Sequence, residues 1–199
     1  MKTHIFRDAH GHQHQVLRRS AMISPCGKFR WRLTREWRPM STDMLTALEQ
    51  AKLGYVAWMM HNPADGDAEL DDMTILRCMQ FSASWGYLRM VIVNIYPFRT
   101  PSPAACRAWL KAEGPGDWRL RNLEEIQEAG MNAAIRMIAW GSSPVDRDWR
   151  DGCVDTFEGL PTKPLHILGL SPSHMPLHPM ARGKWRVPND QQPIHLVRQ

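Results

Sequence analysis

The residues best suited to chemistry sit at two proline-stiffened corners, His61-Asn62-Pro63-Ala64-Asp65 and His178-Pro179. A proline fixes its own φ and drives the residue before it toward extended backbone, so Asn62 and His178 are held stiffly, as a group that must aim at a substrate should be. Asn-Pro and His-Pro also simply end strands. Two such dipeptides closing the first and last strands of one sheet form a more specific signal than either alone. Asn94, Tyr96 and Arg99 follow a second apolar run, Gly141-Ser142 a third, and Ser171, Ser173 and His174 a fourth.

Other chemistry is weakly signalled. GxGxxG and Walker patterns are absent, which argues against a nucleotide cofactor, and no cofactor of any kind is expected. No Ser-His-Asp spacing or nucleophile elbow appears, and Cys78 lies mid-helix on an apolar stripe. Cys26, Cys78, Cys106 and Cys153 are dispersed and read as thiols rather than a disulfide framework. Asp71 or Asp72 reads as a helix cap, the helix face bearing Arg77, Gln80 and Ser84 as solvated, and Trp58, Trp85 and Trp140 as core. Trp118 and Trp149 fit either core or site. His10, His12 and His14 alternate and would share one face of a strand, a possible metal-binding face. A mobile polar terminus is the simpler reading, and no metal site is assigned.

The elements that must carry these residues are legible. Tyr55–His61 and Met90–Ile95 are short apolar runs flanking a helix-length stretch from about Asp72 to Trp85, the pattern of a βαβ unit. Ser41–Lys52 forms a short amphipathic helix before it. Ser102–Lys111 is helical, and Asp117 caps a further helix that ends at Gly130. Ile135–Trp140 is a third strand, Val145–Glu158 a helix and Leu165–Leu170 a fourth strand. This alternation predicts a three-layer α/β sandwich around a four-stranded, mainly parallel sheet with right-handed crossovers. In such sheets ligands bind beyond the carboxyl ends of the strands, where all the corners above fall.

Before the sandwich, Val16–Ile23 and Phe29–Trp37 bracket Ser24-Pro25-Cys26-Gly27 and predict an N-terminal β-hairpin. Its second arm sets Phe29, Trp31 and Leu33 against Arg30, Arg32 and Thr34, giving one apolar and one cationic face. With Arg35 and Arg38 this face can grip phosphates and stack on bases, or merely keep an edge strand soluble. The chain reads as a flexible terminus (1–15), a single α/β domain (16–179) and a tail (180–199). Hydrophobic residues make up 43% of its 199 residues and charged ones 23%, which excludes a disordered chain. The formal charge of +5 favours a polyanionic partner such as DNA or a nucleotide. No apolar run reaches membrane-spanning length and the N-terminus lacks a signal-peptide core, so a cytoplasmic protein without a membrane partner is expected. Nothing in the pattern speaks to oligomeric state.

Taken in order, FRWRLTREW, NPAD, DDMTILRCMQFSASWGY, VNIYPFRTPSP, GPGD, IAWG and LGLSPSHMPLHP resemble the bacterial and phage family known as domain of unknown function 1643, over about Ser24–Pro179. The chain departs from the family's usual form in a shortened loop after Asn62-Pro63, Met73 in place of a proline and Leu88 in place of a glycine. A fainter likeness, an Asn-Pro loop after the first parallel strand and a His-Pro segment after the fourth, resembles the layout of the uracil-DNA glycosylase superfamily. That likeness implies a hydrolase cleaving, or a transferase building on, a modified base in DNA. It implies Asn62 or Asp65 as the group positioning the attacking water and His178 as the stabiliser of the departing base. Asn94 would read a base edge and Tyr96 stack on it, with Pro63, Arg99, Ser171 and His174 around the substrate and Arg30, Arg32, Arg35 and Arg38 on the nucleic acid. The competing function is a catalytically silent nucleic-acid-binding or regulatory module on the same scaffold.

Overall fold

Four apolar runs build the centre of the sheet. The computed structural model describes residues 4–40, 51–113, 116–141 and 146–197. Strands β4 (Val56–Met60), β5 (Arg89–Asn94), β6 (Ile135–Ile138) and β7 (Leu165–Ile167) run parallel, with Trp58 beside Ile92 on one side and Met137 on the other. Every residue of β4 is buried. Successive side chains enter opposite cores, Val56, Trp58 and Met60 on one face, Ala57 and Met59 on the other. A strand buried on both faces needs this continuous apolar run rather than an alternating one.

The full sheet is larger than expected. Among the described residues it is eight-stranded and mixed, in the order β1-β2-β3-β5-β4-β6-β7-β8, and this corrects the four-stranded, mainly parallel sheet. The hairpin of β2 (Gln13–Ile23) and β3 (Arg30–Pro39) does not stand apart, because β3 pairs antiparallel with β5, Leu33 opposite Ile92. Leu33 and Trp37 thereby join the core beneath β4 and β5. Two three-residue edge strands complete the sheet. β1 (Ile5–Arg7) comes from the segment read as a flexible terminus, and β8 (Ile194–Leu196) from the segment read as a tail.

The terminal hairpin is closed by Asp8, whose Oδ1 accepts the backbone N–H of His10 and of His12 at 2.9 Å each. Asp8 Oδ2 lies 3.0 Å from Nε2 of the buried His14. The three histidines therefore organise around a carboxylate turn. Among the described residues no group of three or more His, Cys, Asp or Glu could hold a metal ion.

Helix α1 (Met73–Ser84) packs Ile75, Cys78 and Met79 on one face of the sheet. Helices α2 (Pro103–Glu113), α3 (Trp118–Met131) and α4 (Arg147–Glu158) bury Trp109, Ile126 and Phe157 on the other. The expected Ser41–Lys52 helix falls almost wholly outside the described residues. Asp117 precedes α3 but makes no side-chain cap bond, whereas Asp146 caps α4 by accepting from Trp149 N–H at 3.0 Å. Among the described residues no helix is long and apolar enough to cross a membrane.

From β4 the chain moves sideways to β5, then crosses back over β4 to reach β6. Right-handed crossovers in opposite directions require their helices on opposite faces, which is where α1 and the α2–α3 pair lie. This reversal opens a crevice at the carboxyl end of β4.

Candidate functional site

The crevice is occupied by a cleft of about 370 Å³, walled by residues from every element that ends there. Met60, His61 and Asn62 come from β4 and its exit, Ile92 and Asn94 from β5, Trp140 and Gly141 from the loop after β6, and His178 from the segment after β7. Asp72 and Thr74 enter from the start of α1, and Arg30 from the start of β3. Such a volume suits a drug-sized or nucleobase-sized ligand.

Asn94 is the most telling residue. It is 1% exposed, and among the described residues neither Nδ2 nor Oδ1 has a hydrogen-bond partner. Burying an amide without partners costs about 1–3 kcal/mol, so the fold retains a penalty that an amide-bearing ligand would remove. The backbone beneath it is held firmly: Asn122 Nδ2 donates to the carbonyls of Asn94 and Ile95 at 3.0 Å.

His178 is tuned by burial. Desolvation lowers its pKa to about 4, His61 pressing in the same direction and Asp72 opposing. The backbone N–H of Met180 donates to Nδ1 at 3.0 Å, which places the ring proton on Nε2. His178 is thus a neutral donor. Gly141, at φ +79°, lets the loop after β6 approach, since a Cβ there would sit 3.1 Å from His178 Cβ.

The charged groups are Asp72 and Arg30. Asp72 Oδ1 accepts from Ile75 N–H at 2.9 Å, capping α1, so one carboxylate both starts the helix and lines the cleft. Arg30 is 3% exposed and donates to the Gly66 carbonyl at 2.7 Å. Burial lowers its pKa to about 10, with Asp72 opposing the shift. Trp140, a member of the core, also lines the cleft, and among the described residues its Nε1 is without a partner. Asp72 is the expected cap and Trp140 lies in the expected core, and both also line the cleft, a position those readings did not include. The signal that finds them is position, because each lies within two residues of a strand or helix end on the crevice.

Of the residues expected at the site, Asn62, Asn94, His178 and Arg30 line the cleft together. Asn62 is heavily engaged: Oδ1 lies 2.7 Å from His61 Nδ1, and Nδ2 donates to the carbonyls of Thr100 and Pro63 at 2.7 and 3.2 Å. The others do not line it. Asp65 is exposed on the loop, and Pro63 is buried with its carbonyl on Thr100 N–H. Tyr96 cannot stack on a substrate, because the chain bends after Asn94 and turns the ring fully into the opposite core. There its hydroxyl accepts from Asp146 N–H, and burial pushes its pKa up to about 12. Arg99 donates to the Gly27 carbonyl, and His174 is exposed at φ 55°. Ser171 lines an adjoining hollow that shares Gly141 and His178 with the cleft. Ser142 lies outside the described residues.

The cationic hairpin face is also corrected. Arg35 is fully buried, its Nε on Asp71 Oδ1 at 2.7 Å, and Arg19 Nη2 meets the same carboxylate at 2.8 Å. Arg32 pairs with Glu125 and Glu128, and Arg38 with Gln15. Each of these arginines is engaged by a partner within the fold, Arg35 fully buried and Arg32 and Arg38 partly exposed. Asp71 is the counterion of Arg35 and Arg19, and Asp72 is the helix cap.

Fold and site define an α/β protein with a ligand-sized cleft at the switch point of its sheet. The chain belongs to the family described as protein of unknown function (DUF1643), whose model matches residues 30–180. That span runs from Arg30 to just beyond His178 and so contains all of the cleft wall. No curated protein and no solved structure matches the chain.

Proposed function

We propose that the cleft binds a nucleobase and that the protein cleaves the N-glycosidic bond holding it. The observation that carries this reading is Asn94, a fully buried amide whose donor and acceptor are both unpartnered at the cleft wall. A carboxamide is complementary to the adjacent donor and acceptor on a base edge, and an amide left unpartnered in the free protein discriminates strongly for such a ligand. Trp140 supplies an aromatic surface on the same wall.

The chemistry follows from the remaining groups. Asp72 takes a proton from a water whose oxygen attacks the anomeric carbon. The carbon–nitrogen bond breaks, and its electron pair leaves on the base. The Nε2–H of neutral His178 hydrogen-bonds to the charge developing there without transferring its proton. The proton taken up by Asp72 passes through solvent to the base anion, so water adds across the bond, giving a neutral free base and a sugar hydroxyl and regenerating the carboxylate, with no cofactor. Asn62, bound by its own hydrogen bonds, holds the corner and orients His61 rather than the water.

A catalytically silent base-binding module is the second reading, favoured by that same engagement of Asn62. Incubation with nucleosides and oligonucleotides carrying uracil, 5-hydroxymethyluracil or other altered bases separates the two. Base release that disappears in Asp72→Asn supports the enzyme. Asn94-dependent binding without product supports the module.

A further inference from the structure

We infer that the base in the cleft is presented on a single-stranded nucleic acid, whose backbone runs along an arginine-lined groove on the outer side of α1. This rests on the base-binding reading of the cleft but on a different surface. The groove, about 670 Å³, is walled by Arg7 of β1, Arg77 and Gln80 of α1, and Arg182, Arg186 and Asn189 of the C-terminal segment. Among the described residues, no aspartate or glutamate lines it.

Arg7 and Arg77 donate, among the described residues, to neutral acceptors only, Arg7 to the Gly11 carbonyl. Among the described residues Arg7, Arg77, Arg182 and Arg186 form no ion pair with a carboxylate. Arg77 donates to Asn189 Oδ1 at 2.8 Å and to the Val187 carbonyl at 2.9 Å, which ties the C-terminal segment to α1. Burial, and after it the charge of Arg186, lowers the pKa of Arg77. Like charges gathered without counterions favour an anion, and the guanidinium fork matches phosphate oxygens in particular.

Continuity points to a nucleic-acid strand rather than an acidic protein. The hollow beside the cleft, about 440 Å³, shares Gly141 and His178 with the cleft and Ala181 and Arg182 with the groove. Trp185 lies on its wall, 38% exposed, with Lys184 Nζ 5.2 Å from its ring centroid. The track therefore alternates a base-sized cleft, an exposed aromatic and a cationic channel, the combination by which single strands are held. Arg7, Arg182 and Arg186 fall outside the matched family span, so the chain's two ends build this groove onto the shared cleft.

The test is fluorescence anisotropy of a labelled twelve-nucleotide single strand on the full chain, across a salt series. Polyglutamate and phosphatidylserine vesicles serve as competitors. The expected result is saturable binding that weakens tenfold or more in Arg182→Ala/Arg186→Ala, with the salt slope reduced by about 1.4 and the thermal melt unchanged. Binding unaltered in that variant, no binding at all, or equal competition by polyglutamate or vesicles overturns the inference. Binding of free nucleoside to the unmodified protein and to Asn94→Ala is scored separately. If nucleoside binds but the strand does not need the arginines, the groove falls and the cleft reading stands. If the strand needs the arginines but nucleoside never binds, the groove stands as a strand-binding surface while the cleft reading falls, and with it the claim that a base of the strand enters the cleft.

Discussion

Met180 donates its backbone N–H to His178 Nδ1 at 3.0 Å, and this one contact decides what the histidine can do. With Nδ1 engaged as an acceptor and the ring kept neutral by burial, the proton resides on Nε2 and His178 acts as a hydrogen-bond donor.

Because the folded pKa of His178, about 4, lies below its ordinary 6.5, the unfolded chain takes up the proton first as pH falls. Its contribution is intact above about pH 6.5 and is lost progressively toward pH 4, by up to about 3 kcal/mol. Urea unfolding at pH 7 and pH 4.5 should show this loss, and His178→Gln should reduce it. An unchanged pH dependence in the variant would show that His178 is not held neutral by the fold.

Asn94→Ala should separate binding from stability. It removes two unpartnered polar atoms while opening a small cavity, so the unfolding free energy should move by no more than about 1 kcal/mol. Affinity for the base should fall at least tenfold, read by calorimetric titration. A variant that melts well below the parent would instead make Asn94 a structural residue.

The hairpin arginines should behave oppositely. Arg35→Met breaks a buried pair and should cost about 3 kcal/mol, because Asp71 keeps only part of its compensation. Arg32→Ala, partly exposed, should cost about 1 kcal/mol or less. Neither Arg32→Ala nor Arg38→Ala should weaken oligonucleotide binding. A tenfold loss in either would restore a nucleic-acid role to this arm.

Two glycines set close approaches. At Gly130 a Cβ would lie 2.1 Å from the Phe157 carbonyl oxygen, backbone that cannot yield, so Gly130→Ala should lower stability by about 2 kcal/mol or more through separation of α3 and α4. At Gly141 the clash is with His178 Cβ, and the positive φ adds roughly 1 kcal/mol of strain. Gly141→Ala should therefore reduce base affinity more than its modest effect on the thermal melt would suggest.

Much of this architecture is legible in the sequence, and the reasons are local. Tyr55–Met60 and Met90–Val93 are unbroken apolar runs, so buried parallel strands follow directly, and their carboxyl ends must share an edge. That brings Asn62, Asn94 and His178 to one place without knowledge of any contact. Ile5–Arg7 and Ile194–Leu196 are too short to show a period, and only pairing with the sheet makes them strands. The cationic stripe of β3 misleads because its carboxylate partners, Asp71, Glu125 and Glu128, lie far along the chain. Tyr96 follows Asn94 by two and would share its face on a continuing strand. The bend at Ile95 reverses that expectation. Asp72 escapes notice because capping explains it fully until Arg30 and His178 are seen to wall the same cleft.

Whether the cleft holds a base is tested most directly by titrating the full chain with a panel of nucleosides and free bases, and repeating the titration on Asn94→Ala and His178→Ala. Saturable binding of at least one base, weakened tenfold or more in both variants while their melts stay within a few degrees of the parent, is the predicted result. Failure of every base and nucleoside to bind, or binding indifferent to both substitutions, would contradict it.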